Sequence, residues 1–327
     1  MLFRSREDDR KVKRETVAVI LNWNNADMTL KLLDNIGDVG ENCDVIVVDN
    51  NSSIEERDRL QEYFRREGYS FYSESEIDQV SERQDSLLLL LNDNYGYAKG
   101  NNFGLRLASR LKYEYAVISN NDIEIVSPLI DDLKEILESH RDVAVVGPRI
   151  SAPERNDGPF DKLGMRLMFW RPAFYPFHWL TFHINKLLGM NRPRSKETEE
   201  KELSFPYCIS GSFMMARMSS LEEVDYFDEN TFLYCEEMIL AEKLLEKDLH
   251  MAYFPVKEVK HHHGASTARL DADISKLEFE SRLYYFSRYR GYGKIRIAML
   301  RAASWIYKKI WRPLFQTSKK KLRGVRE

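Results

Sequence analysis

"LNDNYGYAKGNNFGL", residues 91–105, is the stretch on which the reading of the fold turns. It follows the apolar run 87–91 and sets four asparagines, one aspartate and three glycines ahead of a helical pattern. Asn, Asp and Gly make turns, and between a buried strand and a helix they also leave backbone and short polar side chains open to a ligand. Outward from this segment the same grammar repeats. Residues 16–22, 43–50, 86–91, 113–120 and 142–147 are short β-branched or leucine-rich runs that predict buried strands, with helical spacing over 28–36, 98–111 and 128–139 between them. Alternating strands and helices imply an α/β fold with a mostly parallel central sheet covered on both faces. Ligands of such sheets bind beyond the carboxyl ends of the strands. There the polar residues collect: Asn22 and Asn24 after the first strand, Asp49 and Asn51 after the second, Asn92 to Asn94 after the third, and Asn120 to Asp122 after the fourth. Neither G-x-x-x-x-G-K-[ST] nor G-x-G-x-x-G occurs, which excludes a P-loop and the dinucleotide fingerprint.

The 327 residues are 43% hydrophobic and 31% charged, enough to bury a large core. A formal net charge of -3 gives no general attraction to nucleic acid, and none is expected as a partner. Charge is nevertheless uneven: from Arg282 to Glu327 there are fourteen Lys or Arg against one acid. Cys43, Cys208 and Cys235 are far apart and not in C-x-x-C spacing, as expected of thiols in a reducing compartment rather than a disulfide framework. No apolar run reaches the roughly 18 residues of a membrane span. The organisation expected is a charged segment over 1–15, a first α/β half over 16–150, an aromatic-rich insertion or lid with a charged linker over 151–205, a second compact half over 206–270, and a basic amphipathic segment over 271–327.

Three groups carry candidate chemistry. Asp122, at a strand end among asparagines, suits a hard divalent cation that keeps waters and bridges phosphate oxygens, or else a plain turn. In the run His261-His262-His263, alternation in an extended chain would put His261 and His263 on one face, as metal ligands or as part of a solvated cluster. Glu236 and Glu237 begin a helical pattern, where acids complement the helix dipole and where one of them can serve as a general base.

The ordered motifs "NWNN", "VVDNNS", "NDNYGYAKGNN", "NND", "GSFMMAR", "FDENTFLYCEE" and "HHHGAS" over about 16–270 resemble family 2 glycosyltransferases of the rhamnosyltransferase-like group, which build bacterial surface polysaccharides. The resemblance implies a GT-A type nucleotide-binding α/β sandwich and an inverting, Mg2+- or Mn2+-dependent transfer. The donor would be a nucleoside diphosphate sugar, dTDP-rhamnose or alternatively a UDP-hexose or a galactofuranose donor, and the acceptor a polyprenyl-diphosphate-linked saccharide. Asn22, Asn24, Asp49, Asn51, Asn94, Gly96, Lys99, Gly100, Asn102, Asn121 and Gly211 would line the nucleotide-sugar site, with Asp49 reading the base. Asp122, His261 and His263 would hold the metal, and Glu237, with Glu236 as the neighbouring candidate, would be the base. The chain departs from the family's E-D-x-D-x-x-x-R at Glu237, at Ile239 and at Lys243, where Arg is usual, so a catalytically weak nucleotide-sugar-binding subunit is the rival expectation. In the tail, apolar positions recur at near-helical spacing over 295–310 among basic residues, which predicts an interfacial helix on an anionic membrane, at the inner face of the cell membrane in the cytoplasm.

Overall fold

The computed structural model describes residues 14–152, 158–162, 173, 203–262 and 274–314. Among them, nine strands form one sheet. In chain order they are β1 (Thr16–Asn22), β2 (Asp44–Asp49), β3 (Ser70–Ser73), β4 (Ser86–Leu90), β5 (Tyr115–Asn120), β6 (Ile123–Ile125), β7 (Val143–Ser151), β8 (Phe213–Arg217) and β9 (His250–His261), arranged 3-4-2-1-5-8-7-9-6. The β3-β4-β2-β1-β5 side is wholly parallel. Beyond β5 the sheet is mixed, with β8 antiparallel to β5 and β7, β9 parallel to β7, and β6 antiparallel to β9. β8 and β9 therefore complete the sheet begun by 16–150 rather than building a second half over 206–270.

The helices are α1 (Ala26–Val39), α2 (Ile54–Arg66), α3 (Gly96–Arg110), α4 (Ile130–Ser139), α5 (Met218–Glu223), α6 (Glu236–Leu245), α7 (Ile274–Arg288) and α8 (Lys294–Ile306). Strand alternation divides the core in two. Val17 and Val19 of β1 pack in one cluster with Leu105 of α3, Leu221 of α5 and Leu240 of α6. Ala18 and Ile20 face the other, with Leu32 of α1, Phe64 of α2 and Leu133 of α4. Sequence expectations for β1, β2, β4, β5 and β7 hold within a few residues, while the short β3 and β6 were not anticipated. Cys43, Cys208 and Cys235 are buried free thiols.

The chain divides into two compact units, Met1–Asp161 with Lys201–Ser281, and Lys162–Glu200 with Arg282–Glu327. The expected insertion over 151–205 lies mostly outside the described residues. No helix among those described is long and apolar enough to cross a membrane.

Gly104 sets how closely α3 approaches the sheet, since a Cβ there would stand 2.6 Å from Val19 Cγ1 and 3.0 Å from Val48 Cγ2. Overpacking of this kind costs about 1–3 kcal/mol. Gly104→Ala is expected to lower stability by that order in urea unfolding, and an unchanged midpoint would contradict the packing described.

Candidate active site

The carboxyl ends of β1, β2 and β5 are tied into one polar network around Asp49. Its side chain is fully buried and takes Asn22 Nδ2 at 2.7 Å, Ser52 N at 3.1 Å, Arg57 Nε at 2.8 Å and the Ser52 hydroxyl. A carboxylate offers about four acceptor positions, and all four are filled. Asp49 thus organises the rim. Asn22 is equally committed. Its second amide hydrogen reaches Ser52 Oγ at 3.1 Å, and its Oδ1 accepts from Thr29 Oγ1 at 2.8 Å and Asn121 Nδ2 at 3.0 Å. Asn22 and Asn121, both buried, tie the end of β1 to the end of β5. Asn24 and Asn51 adopt positive φ, 51° and 61°, a conformation asparagine tolerates. Asn24 bonds with Ser52 and Ser53, and both Asn24 and Asn51 stay partly exposed at the rim.

The 91–105 segment is fixed by a buried residue outside the expected set. Asn50 donates to Asn94 Oδ1 at 2.9 Å and Gly96 O at 3.0 Å and accepts from Tyr95 N. Gly96 has φ +79°, and a Cβ there would fall 2.2 Å from the Phe232 carbonyl oxygen, so only glycine fits. Gly100 lets α3 pass Leu21 and Asn50. Asn102 is buried, donating to Phe227 O and Glu229 Oε1 and accepting from Phe227 N. It clamps α3 to the 225–232 loop. Asn94 and Lys99 remain partly exposed, Lys99 Nζ lying 4.0 Å from the Tyr95 ring centroid.

Asp122 and His261 are brought together by the β6–β9 pairing, which sets Ile123 opposite His261. Asp122 Oδ1 and His261 Nε2 stand 3.0 Å apart, both less than a tenth exposed. Neighbouring ligands on an octahedron with bonds of about 2.1 Å are separated by roughly 3 Å, so the pair fits Mg2+ or Mn2+. Among the described residues no group of three or more His, Cys, Asp and Glu forms a cation site. Remaining positions would fall to phosphate oxygens and water, as such ions prefer. His262 lies on the opposite side of the strand and pairs with Glu124 at 2.8 Å. His263 lies outside the described residues.

A backbone link continues the network: Asn120 N donates to Ser212 O at 2.8 Å. The adjacent Gly211 carbonyl accepts from the Tyr97 hydroxyl, and Gly211 abuts Glu237, whose Cβ would be 3.9 Å from a Cβ at 211. The chain enters α6 through two left-handed residues, Tyr234 (φ 75°) and Cys235 (φ 73°). Such non-glycine conformations cost on the order of 1 kcal/mol or more and gather at functional sites. Glu236 is then buried with Oε1 lacking a hydrogen-bond partner, while Glu237 is only half-buried. Burial, reinforced by Glu237, pushes the Glu236 carboxyl up to about 8. Burial and the two glutamates also raise the Tyr97 hydroxyl well above the usual phenol range. Sequence reasoning missed Arg57, Ser52, Asn50 and Tyr97, whose partners lie on other elements.

Removing one partner of a buried charged cluster strands the others. Asp49→Asn is expected to lower unfolding free energy by about 2–3 kcal/mol, because Arg57 loses its counter-charge and an amide N–H faces donors; stability equal to the parent would overturn the organising role. Glu236 gives a prediction with the opposite sign. Its folded pKa lies above its unfolded value, so native protein holds a proton that unfolded chain releases, and stability is lost as pH rises from about 4.5 to about 8. Glu236→Gln, which cannot ionise, should gain thermal stability relative to the parent across that interval. A melting difference independent of pH would contradict the shift.

Residues 17–224 match the model of glycosyl transferase family 2. The chain is 22% identical to the rhamnosyltransferase WbbL of Escherichia coli over 282 residues, covering 83% of this chain and 92% of that protein. It is 24% identical over 271 residues to the low-salt glycan biosynthesis hexosyltransferase Agl10 of Haloferax volcanii, 81% and 73% of the two chains. A third relative, N-acetylglucosaminyl-diphospho-decaprenol L-rhamnosyltransferase of Mycobacterium tuberculosis, is 26% identical over 164 residues, 48% of this chain and 49% of its own. In fold the chain is similar to the mannosyltransferase PcManGT of Pyrobaculum calidifontis, solved with GDP-Man and Mn2+, with TM-score 0.53 at 14% identity over 90% of this chain and 70% of that one. It is also similar to GalNAc-T7 solved with UDP, GalNAc and Mn2+, with TM-score 0.54 at 11% identity over 92% of this chain and 57% of that one. A mixed α/β sheet of the GT-A kind, a polar rim at its carboxyl edge and the family match over most of that sheet agree: the chain belongs to glycosyl transferase family 2 and is a glycosyltransferase.

Proposed function

We propose that this glycosyltransferase moves a sugar, rhamnose from dTDP-rhamnose, to a hydroxyl of a polyprenyl-diphosphate-linked saccharide, with inversion, at the cytoplasmic face of a membrane. The observation that carries the reading is the continuous rim from Asp49 through Asn22 and Asn121 to Asp122–His261, and through Asn120 and Ser212 to Gly211 and Glu237. It places an acidic-imidazole pair and a carboxylate of suitable exposure along one sheet edge. Two relatives named as rhamnosyltransferases support the donor, and the decaprenol-linked substrate in the mycobacterial name supports the acceptor class. The hexosyltransferase name of the haloarchaeal relative favours a second reading, transfer from another hexose donor by the same site.

Asp122 and His261 would hold Mg2+ or Mn2+, which when bound neutralises charge on the departing diphosphate. Partly exposed Asn24, Asn51, Asn94 and Lys99 offer hydrogen bonds and one positive charge to the nucleotide sugar. The acceptor oxygen forms its bond to the anomeric carbon as the bond to the diphosphate oxygen breaks on the opposite face. Glu237 takes the hydroxyl proton. Glu236 is unsuited to that task because its raised pKa keeps it protonated near pH 7.

Loss of a general base typically costs about 10²–10⁴ in rate. Glu237→Gln is therefore expected to lower turnover by about that factor with donor affinity nearly unchanged, and Glu236→Gln to be milder. Asp122→Ala should abolish transfer and weaken metal-dependent nucleoside diphosphate binding in titration calorimetry, and His261→Ala should weaken it far more than His262→Ala. Full activity and metal dependence in Asp122→Ala would remove that residue from the site. Absence of nucleoside diphosphate release with every donor offered would instead mark a binding subunit.

A further inference from the structure

The helix α8 carries two apolar faces, and only one is used inside the protein. Leu300 and Ala303 are fully buried. Ile295, Ala298, Met299, Ala302 and Trp305 recur at i, i+3, i+4, i+7 and i+10, which at 3.6 residues per turn makes a single stripe. That stripe is outside: Ile295 is 80% exposed, Met299 39% and Trp305 59%, with Ala298 and Ala302 also exposed. Past the π-helical turn Tyr307–Trp311, which includes Ile310 (39% exposed), the chain is still helical. Exposed apolar side chains gathered on one face mark an interaction site, unlike those scattered singly.

Charge identifies the occupant. Lys294 and Arg301 follow one edge of the stripe and Arg296 the other, and Lys309 and Arg312 extend the basic border beyond Trp305. No acidic side chain occurs between Lys294 and Leu314. An apolar stripe bearing a tryptophan, bordered by Lys and Arg, fits a bilayer interface whose headgroups are anionic: the apolar residues enter the headgroup–acyl boundary and the cations stay among the phosphates. A folded acidic protein would meet the cations but leave a long narrow apolar stripe to fill, and nothing on the helix supplies the polar spacing a protein rim uses.

We infer that the outward stripe of α8, from Ile295 to Trp305 and on to Ile310, is a docking surface for an anionic lipid bilayer, so that the helix lies in the membrane plane while Leu300 and Ala303 stay buried. The inference rests on the lipid-linked acceptor proposed above and names the surface by which the enzyme reaches it. Docking would then confine enzyme and acceptor to the same plane.

The test uses the full chain with vesicles of phosphatidylcholine alone and with added phosphatidylglycerol, read by co-sedimentation at low and high salt. The parent should sediment with the anionic vesicles, and only part should be released by salt, since apolar insertion is not screened. Met299→Ser with Trp305→Ser should shift the protein to the supernatant and make what binding remains fully salt-sensitive. Lys294→Gln, Arg296→Gln and Lys309→Gln together should weaken partitioning on the order of 100-fold while leaving no preference for anionic over neutral vesicles. Donor hydrolysis in solution, followed as nucleoside diphosphate release, should be the same in all three proteins. Its loss in the parent would defeat the proposed reaction, whereas vesicle binding reports on the surface alone. A parent that stays in the supernatant with anionic vesicles at low salt overturns the inference. So does a parent whose only response to the serine pair is loss of self-association in analytical ultracentrifugation, which would assign the stripe to a second copy of the chain.

Discussion

A buried carboxylate with every acceptor position filled is the constraint on which this site is built. Asp49 ends β2, Asn22 ends β1 and Ser52 opens the turn into α2, and Asp49 binds both of them together with Arg57 from α2. Four donors converging on one buried charge hold it only in a narrow geometry, since losing any of them leaves a desolvated oxygen. The consequence propagates. Asn22, held from below by Asp49, is free to turn its Oδ1 only toward Thr29 and Asn121, and Asn121 precedes the aspartate that meets His261. The position of a candidate metal pair on β6 and β9 thus depends on a hydrogen-bonded chain that begins on β2.

The rim's polar residues are mostly spent on one another, and this separates support from contact. Asn22, Asn50, Asn102 and Asn121 are buried and bonded within the protein, whereas Asn24, Asn51, Asn94 and Lys99 keep part of their surface open. A ligand arriving at this edge would find its partners already aimed, so little ordering would remain at the moment of binding. The abundance of asparagine follows: its side chain is short, offers both donor and acceptor, and tolerates the positive φ seen at Asn24 and Asn51.

Strands buried on both faces announce themselves as continuous apolar runs, which is why β1, β2, β4 and β5 and the rim beyond them were legible from sequence. Strands of three or four residues, β3 and β6, carry too little periodic signal, and β6 exists because β9 pairs with it from more than a hundred residues away. The site divides similarly. Motifs singled out Asp122 and His261, but their meeting at 3.0 Å is a product of register. Residue type alone could not show how Asp49 and Asn102 are held, because their partners, Arg57 and Phe227, come from other elements.

α8 shows the same limit from the other direction. Near-helical spacing over 295–310 predicted a helix lying on a surface, but the spacing alone did not say which apolar side chains stay outside. Leu300 and Ala303 answer for one stripe and Ile295, Met299 and Trp305 for the other, and the two are compatible on a single helix. Unlike the rim, where buried charge fixes each side chain through directional bonds, this surface needs only area and sign. A non-directional apolar contact edged by cations tolerates lateral movement, and that is the freedom an enzyme would need in order to follow a lipid-borne acceptor across a membrane while its polar site stays rigid.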